Sequence, residues 1–237
     1  MNPMRSETPK VRHWKRWIIA GAIAIPAAVV GGPFVYINFI EGDAPAPLRL
    51  IDASPTTTTT GTVPLDGAWA IASGSRVGYR VKEVLFGQSN TAAGRTTEIE
   101  GSLTFNGTTL SAATFTVDMT SVSSDQSRRD RQFDGRIMDT STYPTATFKL
   151  TQPITLASIP AEGVTGTARA TGELTLRGTT KTVTFTVTGR RTGSSIQVSG
   201  SIPIVFADWN IPNPSFGGVV TTEDNGTLEF LLTFAHA

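Results

Sequence analysis

The sequence predicts an all-β fold: eight antiparallel strands closed into a barrel, with one short helical insertion, preceded by a single N-terminal transmembrane helix. Three observations carry this. From Leu65 onward apolar and polar residues alternate with period two in almost every segment, as strands with one face on a common interior do. The segments are joined mostly by short turns, without the long helical crossovers that parallel strands need. Trp17–Ile40 runs for 24 residues without a charge, and about 20 apolar residues suffice to cross hydrocarbon roughly 30 Å thick.

The bulk composition narrows the functional classes. There is no cysteine, so neither disulfides nor thiolate chemistry are available. The net charge of +1 conceals an asymmetry: Met1–Arg16 holds five Lys/Arg against one Glu, which leaves −3 for the remainder. A nucleic-acid binder needs a basic face on its folded part, and that expectation is removed. His13 and His236 are the only histidines and lie near the two ends, which argues against histidine triad or metal chemistry in the domain.

Taken in order, residues 1–16 form a basic tail and 17–40 the transmembrane helix. Lys10, Arg12, Lys15 and Arg16 precede the apolar run and Glu41 and Asp43 follow it. The positive-inside bias then puts the tail in the cytoplasm and the rest outside, in a single-pass protein of the cell membrane. Trp14, Trp17 and Tyr36 are placed as interfacial anchors. A cleaved leader, with its shorter apolar region, is the alternative. Residues 41–64, with Pro45, Pro47, Pro55, Pro64 and the run Thr56–Thr60, read as a linker; as a flexible coil they would span about 25–30 Å.

Residues 65–237 form the barrel domain. Val77, Tyr79 and Val81 alternate with Arg76, Arg80 and Lys82; Ile99, Leu103 and Phe105 face the other way from Glu98, Glu100 and Thr104. Asn106-Gly107 supplies a hairpin turn, and Phe115, Val117 and Met119 return from it. Ala146, Phe148 and Leu150 make the next strand. The longest follows, with Val164, Gly166, Ala168, Ala170, Gly172, Leu174 and Leu176 on one side. Val183, Phe185 and Val187, then Ile196 to Phe206, then Leu228 to Phe234 complete a set of eight, counting Trp69–Glu83 as one broken strand. Closure removes sheet edges and favours the barrel, and the inward glycines on the longest strand permit tight coiling or leave room inside. A two-sheet sandwich fits the alternation almost as well.

One stretch breaks the pattern. In Ser124–Phe148, Arg128, Arg129, Arg131 and Arg136 are nearly cancelled by Asp125, Asp130, Asp134 and Asp139. It reads as a short helix over roughly 125–138 lying across one barrel end, with Phe133, Ile137 and Met138 underneath; Tyr143-Pro144 then restarts the sheet. The three aspartates Asp130, Asp134 and Asp139 come without a nucleophile–base motif or metal spacing, so neither enzymatic activity nor a cofactor is expected. Asp208–Asp224 is the other long connection, able to bring Trp209 and Phe216 over the mouth. Asn106-Gly107-Thr108 and Asn225-Gly226-Thr227 read as hairpin turns rather than glycosylation sites.

With these residues in place, the domain from about Leu65 to Ala237 resembles the YceI-like family of lipid- or polyisoprenoid-binding, lipocalin-like proteins. The resemblance rests on Trp69; on Ser75-x-Val77-x-Tyr79-x-Val81 and Gly101-x-Leu103-x-Phe105; on Phe115-x-Val117-x-Met119 with Ser121-Val122. Asp130, Phe133-Asp134, Tyr143-Pro144-x-Ala146-x-Phe148 and Gly172-x-Leu174-x-Leu176-x-Gly178-x-Thr180 complete it. The family often carries histidines beside its first strand; Gly74 and Glu83 stand there, so no histidine headgroup role carries over. The membrane anchor is not a constant feature of the family.

The resemblance implies that the barrel interior holds a long apolar chain, a polyisoprenoid or fatty amphiphile, for binding, sequestration or transport at the outer face of the membrane. Val77, Tyr79, Phe105, Phe115, Val117, Phe148, Phe185, Phe206 and Phe230 would form the uncharged wall. Arg128, Arg129, Arg131 and Trp209 are the candidates for meeting the ligand's head at the rim. The expected partners are therefore that ligand and, through Trp17–Ile40, the membrane; a homodimer is left open. The competing reading is a solid-cored structural or interaction module of the cell envelope, and a cavity of a few hundred Å³ or more separates the two.

Overall fold

The first strand of the barrel is broken in two, and the break explains the connectivity of the whole sheet. The computed structural model describes residues 44–50, 64–85, 87–217 and 220–237. The expected helix at Trp17–Ile40 and the tail before it lie outside the described residues. Among those described, no helix is long and apolar enough to cross a membrane.

β1 (Gly67–Ile71) and β2 (Arg76–Leu85) run along the same neighbour, with β3 (Gln88–Thr96) returning beside β2 and β4 (Ile99–Asn106) beside β1. Ser75 mends the break. Its buried hydroxyl lies 2.8 Å from the Ala72 carbonyl and accepts from the Thr233 N–H at 2.9 Å, replacing ladder bonds that the kink would orphan. β5 (Thr109–Asp118) follows the Asn106-Gly107 turn, and β6 (Ser123–Ser124) is a two-residue strand pairing with the end of β3.

Next come the helix α1 (Ser127–Gln132) and a π-helical turn at Phe133–Ile137, within the span the sequence predicts as helix. β7 (Thr145–Leu150), the short β8 (Ile154–Thr155), β9 (Thr165–Leu176), β10 (Thr179–Thr192), β11 (Ser195–Val205), β12 (Val220–Thr222) and β13 (Asn225–His236) complete the set. Neighbours pair antiparallel in the order β1, β4, β5, β7, β9, β10, β11, β13, and β13 pairs back onto both β1 and β2. With β1/β2 and β3/β4 each counted as one broken strand, this is a closed eight-stranded antiparallel barrel.

Two local expectations are corrected. Asn225-Gly226 is not a turn: both residues are already in β13, opposite Val205 and Ile204. β3 is a strand where the alternation shows none, because Ala92 and Gly94, in register with the inward Val81 and Tyr79, supply its inner face without large side chains, and Ala93 between them marks no polar face.

Trp69 is fully buried in the core with Phe234, its indole N–H donating to the Leu65 carbonyl at 2.8 Å. On the outer wall, Glu229 is 4 % exposed. Arg80 and Arg95 reach it at 3.3 and 2.8 Å. Arg95 can lie across β2 because Gly78 stands between them in register; a Cβ there would fall 2.8 Å from the Arg95 Cγ. The entering chain docks on this cluster. Arg80 donates to the Pro45 carbonyl, Arg95 to that of Ala46, and the Leu48 N–H donates to Glu229. Part of the expected linker therefore lies against the barrel wall, held through its backbone.

Candidate functional site

The inner face of β9 reads Gly166, Ala168, Ala170, Gly172 before it reaches Leu174. Four successive inward positions contribute almost no volume, and only at Gly172 does a neighbouring ring close in, a Cβ there meeting the Phe148 ring at 2.5 Å. The interior is therefore hollow, with a cavity of about 760 Å³ lined mostly by apolar side chains. That is in the range of pockets that hold small ligands, and it separates this barrel from one filled by its own core.

All nine interior residues expected from the sequence line this cavity: Val77, Tyr79, Phe105, Phe115, Val117, Phe148, Phe185, Phe206 and Phe230. Part of the wall is a chain of ring contacts. Phe115 stacks on Phe148 at 6.4 Å between centroids, Phe148 meets Phe185 edge-on at 5.5 Å, and Phe185 meets Phe230 at 5.9 Å. Tyr79 lies parallel to Phe133 at 5.1 Å. Burial pushes the Tyr79 phenol well above its ordinary value, Arg129 opposes this, and Asp130, Glu83 and Asp125 add smaller upward pushes.

The two ends of the barrel differ. At the end bearing α1, Phe133, Met138, Phe206 and Ile211 are all buried and line the cavity floor. Arg136 ties this end shut by donating to the Asn213 and Pro214 carbonyls at 3.0 and 2.9 Å. At the opposite end, Ile159 and Val164 line the cavity while remaining 44 % and 51 % exposed. Side chains that face both the lumen and solvent mark its mouth, which lies under the 151–164 connection.

The four residues expected at the rim sit at the closed end. Arg129 is paired with Asp125 and lies 3.6 Å from Glu83. Arg128 and Arg131 are exposed on α1. Trp209 is buried at 4 %, with the Lys181 ammonium 5.9 Å from its ring centre, whereas Phe216 is exposed. Asp130 accepts from both the N–H and the hydroxyl of Ser124, at 2.9 and 2.6 Å, and so pins α1 to β6. Burial and then the neighbouring Asp130 raise the Asp134 carboxyl.

One residue of the mouth is absent from the sequence expectations. Arg191 lines the cavity because it continues the inward phase of β10, Val183, Phe185, Val187, Gly189, Arg191, two steps past the last residue recognised as strand. Following the alternation to the end of the run would have found it.

A closed antiparallel barrel, plugged at one end, open at the other and hollow between, defines a β-barrel with an apolar lumen of ligand size. The chain belongs to the YceI-like domain family, whose profile matches residues 69–234. Solved structures agree on the fold. BcnA of Burkholderia cenocepacia is 23 % identical, with a TM-score of 0.54 over 69 % of this chain and 98 % of that one. A polyisoprenoid binding domain from Saccharophagus degradans, implicated in plant cell wall breakdown, is 16 % identical, with a TM-score of 0.56 over 71 % and 98 %. The YceI protein of Campylobacter jejuni is 18 % identical, with a TM-score of 0.50 over 61 % and 84 %. No curated protein matches.

Proposed function

We propose that this protein binds a long-chain apolar lipid, a polyisoprenoid or fatty amphiphile, with its chain inside the barrel, and carries or sequesters it at the outer face of the membrane to which Trp17–Ile40 anchors it. The observation that carries the reading is the hollow apolar lumen of about 760 Å³. The polyisoprenoid-binding domain with the same fold supports the choice of ligand class. Each methylene removed from water contributes about 0.8 kcal/mol. A lipid drawn from a bilayer was never in water, however, so net affinity rests on shape and on contacts to the head, and tethering raises the local concentration of bilayer lipid. The role is binding rather than catalysis, and no cofactor is invoked.

The test is organic extraction of the purified full chain and mass spectrometry of the extract, beside an Ala168→Trp variant whose indole obstructs the lumen. Lipid adhering to the apolar N-terminal run is common to both proteins. A polyprenyl or fatty lipid enriched several-fold in the native extract is expected; equal extracts would overturn the reading.

A further inference from the structure

Beside the mouth lies a second, shallow recess of about 390 Å³, lined by Pro64, Leu65, Asp66, Gly107, Thr108, Ile159 and Arg191. Leu65, Ile159 and Arg191 line both the recess and the lumen, so Arg191 stands where the apolar cavity meets a polar pocket. Its Nε is out of contact with solvent and has no hydrogen-bond partner, and among the described residues no carboxylate pairs with it. Arg191 as a whole is partly exposed, but an Nε–H shut off from water without an acceptor is costly, and its outer nitrogens stay accessible to a ligand. The two acids at this end are engaged elsewhere: Asp66 accepts from the Gly107 N–H at 2.6 Å, and Glu162 from the Gly193 N–H at 2.6 Å. The Arg191 backbone is fixed as well, since its carbonyl accepts from the Gly163 N–H at 2.8 Å, which ties β10 to the mouth connection.

We infer that Arg191 is the counter-ion of a lipid head carrying one negative charge, a carboxylate or phosphodiester seated in the recess while its chain fills the lumen. The inference rests on the lipid-binding reading and narrows its ligand. A single charge is favoured because Asp66 faces the same recess. Arg191 is the one cation lining the recess among the described residues and matches one negative charge, while the Asp66 carboxylate opposes a second. The arginine fork matches either planar pair of oxygens. The half-exposed Ile159 and Val164 flank this entrance with apolar groups, as a lipid passing head-last into the barrel requires.

The experiment holds the tail constant and varies the head. The full chain in nonionic detergent is incubated at pH 8 with palmitate, hexadecyl methyl phosphate, hexadecyl phosphate or hexadecanol. Ligand retained through gel filtration is then counted per protein for the native chain, Arg191→Gln, Arg191→Lys and Ala168→Trp. The native chain should retain at least one monoanion about tenfold better than hexadecanol, a hydrogen bond to a charged group being worth that much, and better than hexadecyl phosphate. Arg191→Gln should erase the preference while leaving hexadecanol retention unchanged, and Arg191→Lys should keep most of it. Which monoanion is retained separates a fatty carboxylate from a phosphodiester. If the native chain treats charged and neutral heads alike, or Arg191→Gln keeps the preference, the head inference fails while lumen binding stands. If native and Ala168→Trp proteins retain every ligand equally, lumen binding fails with it.

Discussion

Glu229 is the carboxylate at the centre of a buried ion cluster. It is almost wholly buried on the outer wall, held by Arg80 and Arg95, themselves about 20 % exposed, and it accepts the Leu48 N–H besides. Removing one member of a buried ion cluster leaves the others uncompensated. Glu229→Ala should therefore lower the unfolding free energy by about 3 kcal/mol, the low end of the range for buried pairs, as measured by urea denaturation; a loss below about 1 kcal/mol would show that water replaces the carboxylate. Tyr79 supplies a pH signature. Its phenol is raised by burial above the ordinary 10, so below pH 10 folded and unfolded chains are equally protonated there and stability is flat. Above pH 10 the unfolded chain releases this proton and the folded chain does not, so stability falls as pH rises. Tyrosinate absorbance should show one phenol ionising only with unfolding, and Tyr79→Phe should abolish that step. At this scale the sequence was informative wherever side-chain size followed the alternation, which is why all nine wall residues were found. Arg191 escaped because a cation on an inward position looks like the end of a strand.

Elements with clear alternation were legible, and those built by backbone packing were not. The eight barrel strands can be read from their large inward residues. β3 cannot, since Ala92, Ala93 and Gly94 leave nothing for periodicity to register; its place is set by pairing with β2 along nine consecutive positions, Val77↔Thr96 to Leu85↔Gln88. The charged helical insertion was located by its failure to alternate, but its role depends on partners distant in sequence. Arg129 meets Glu83, Asp130 meets Ser124, and Arg136 meets carbonyls 77 and 78 residues away. These contacts make the insertion a plug over Phe133 and Met138 rather than a rim. Arg136→Ala should loosen the plug without unfolding the barrel. Two hydrogen bonds from a charged donor, discounted for exposure, are worth about 1–2 kcal/mol, so amide exchange around Ile211 and Asn213 should quicken roughly tenfold. Exchange within β9 and β10 should stay as it was, and a uniform acceleration across the sheet would instead make Arg136 a member of the global fold.

At the scale of the whole molecule, hollowness has a thermodynamic consequence. Closed-cored domains gain their stability from packed interiors, whereas here wall residues such as Phe115, Phe148 and Phe185 face about 760 Å³ of space, forgoing the contacts that a filled interior would make. The folded state should then be partly stabilised by whatever occupies the lumen, because a ligand that binds only the native form contributes RT ln(1 + [L]/Kd), about 2.7 kcal/mol at one hundred times Kd. For a domain of this size each kcal/mol moves the melting temperature by about 2–4 °C. The delipidated full chain should accordingly melt about 5–10 °C below the same chain saturated with a sixteen-carbon amphiphile. Ala168→Trp should show a much smaller gap, since its indole obstructs the lumen that the chain would enter. Calorimetry of the four samples decides the matter: equal melting temperatures for the native pair would mean that the barrel walls are self-sufficient and the space inside is energetically idle. An equal gap in native and Ala168→Trp proteins would place the stabilising ligand elsewhere on the surface.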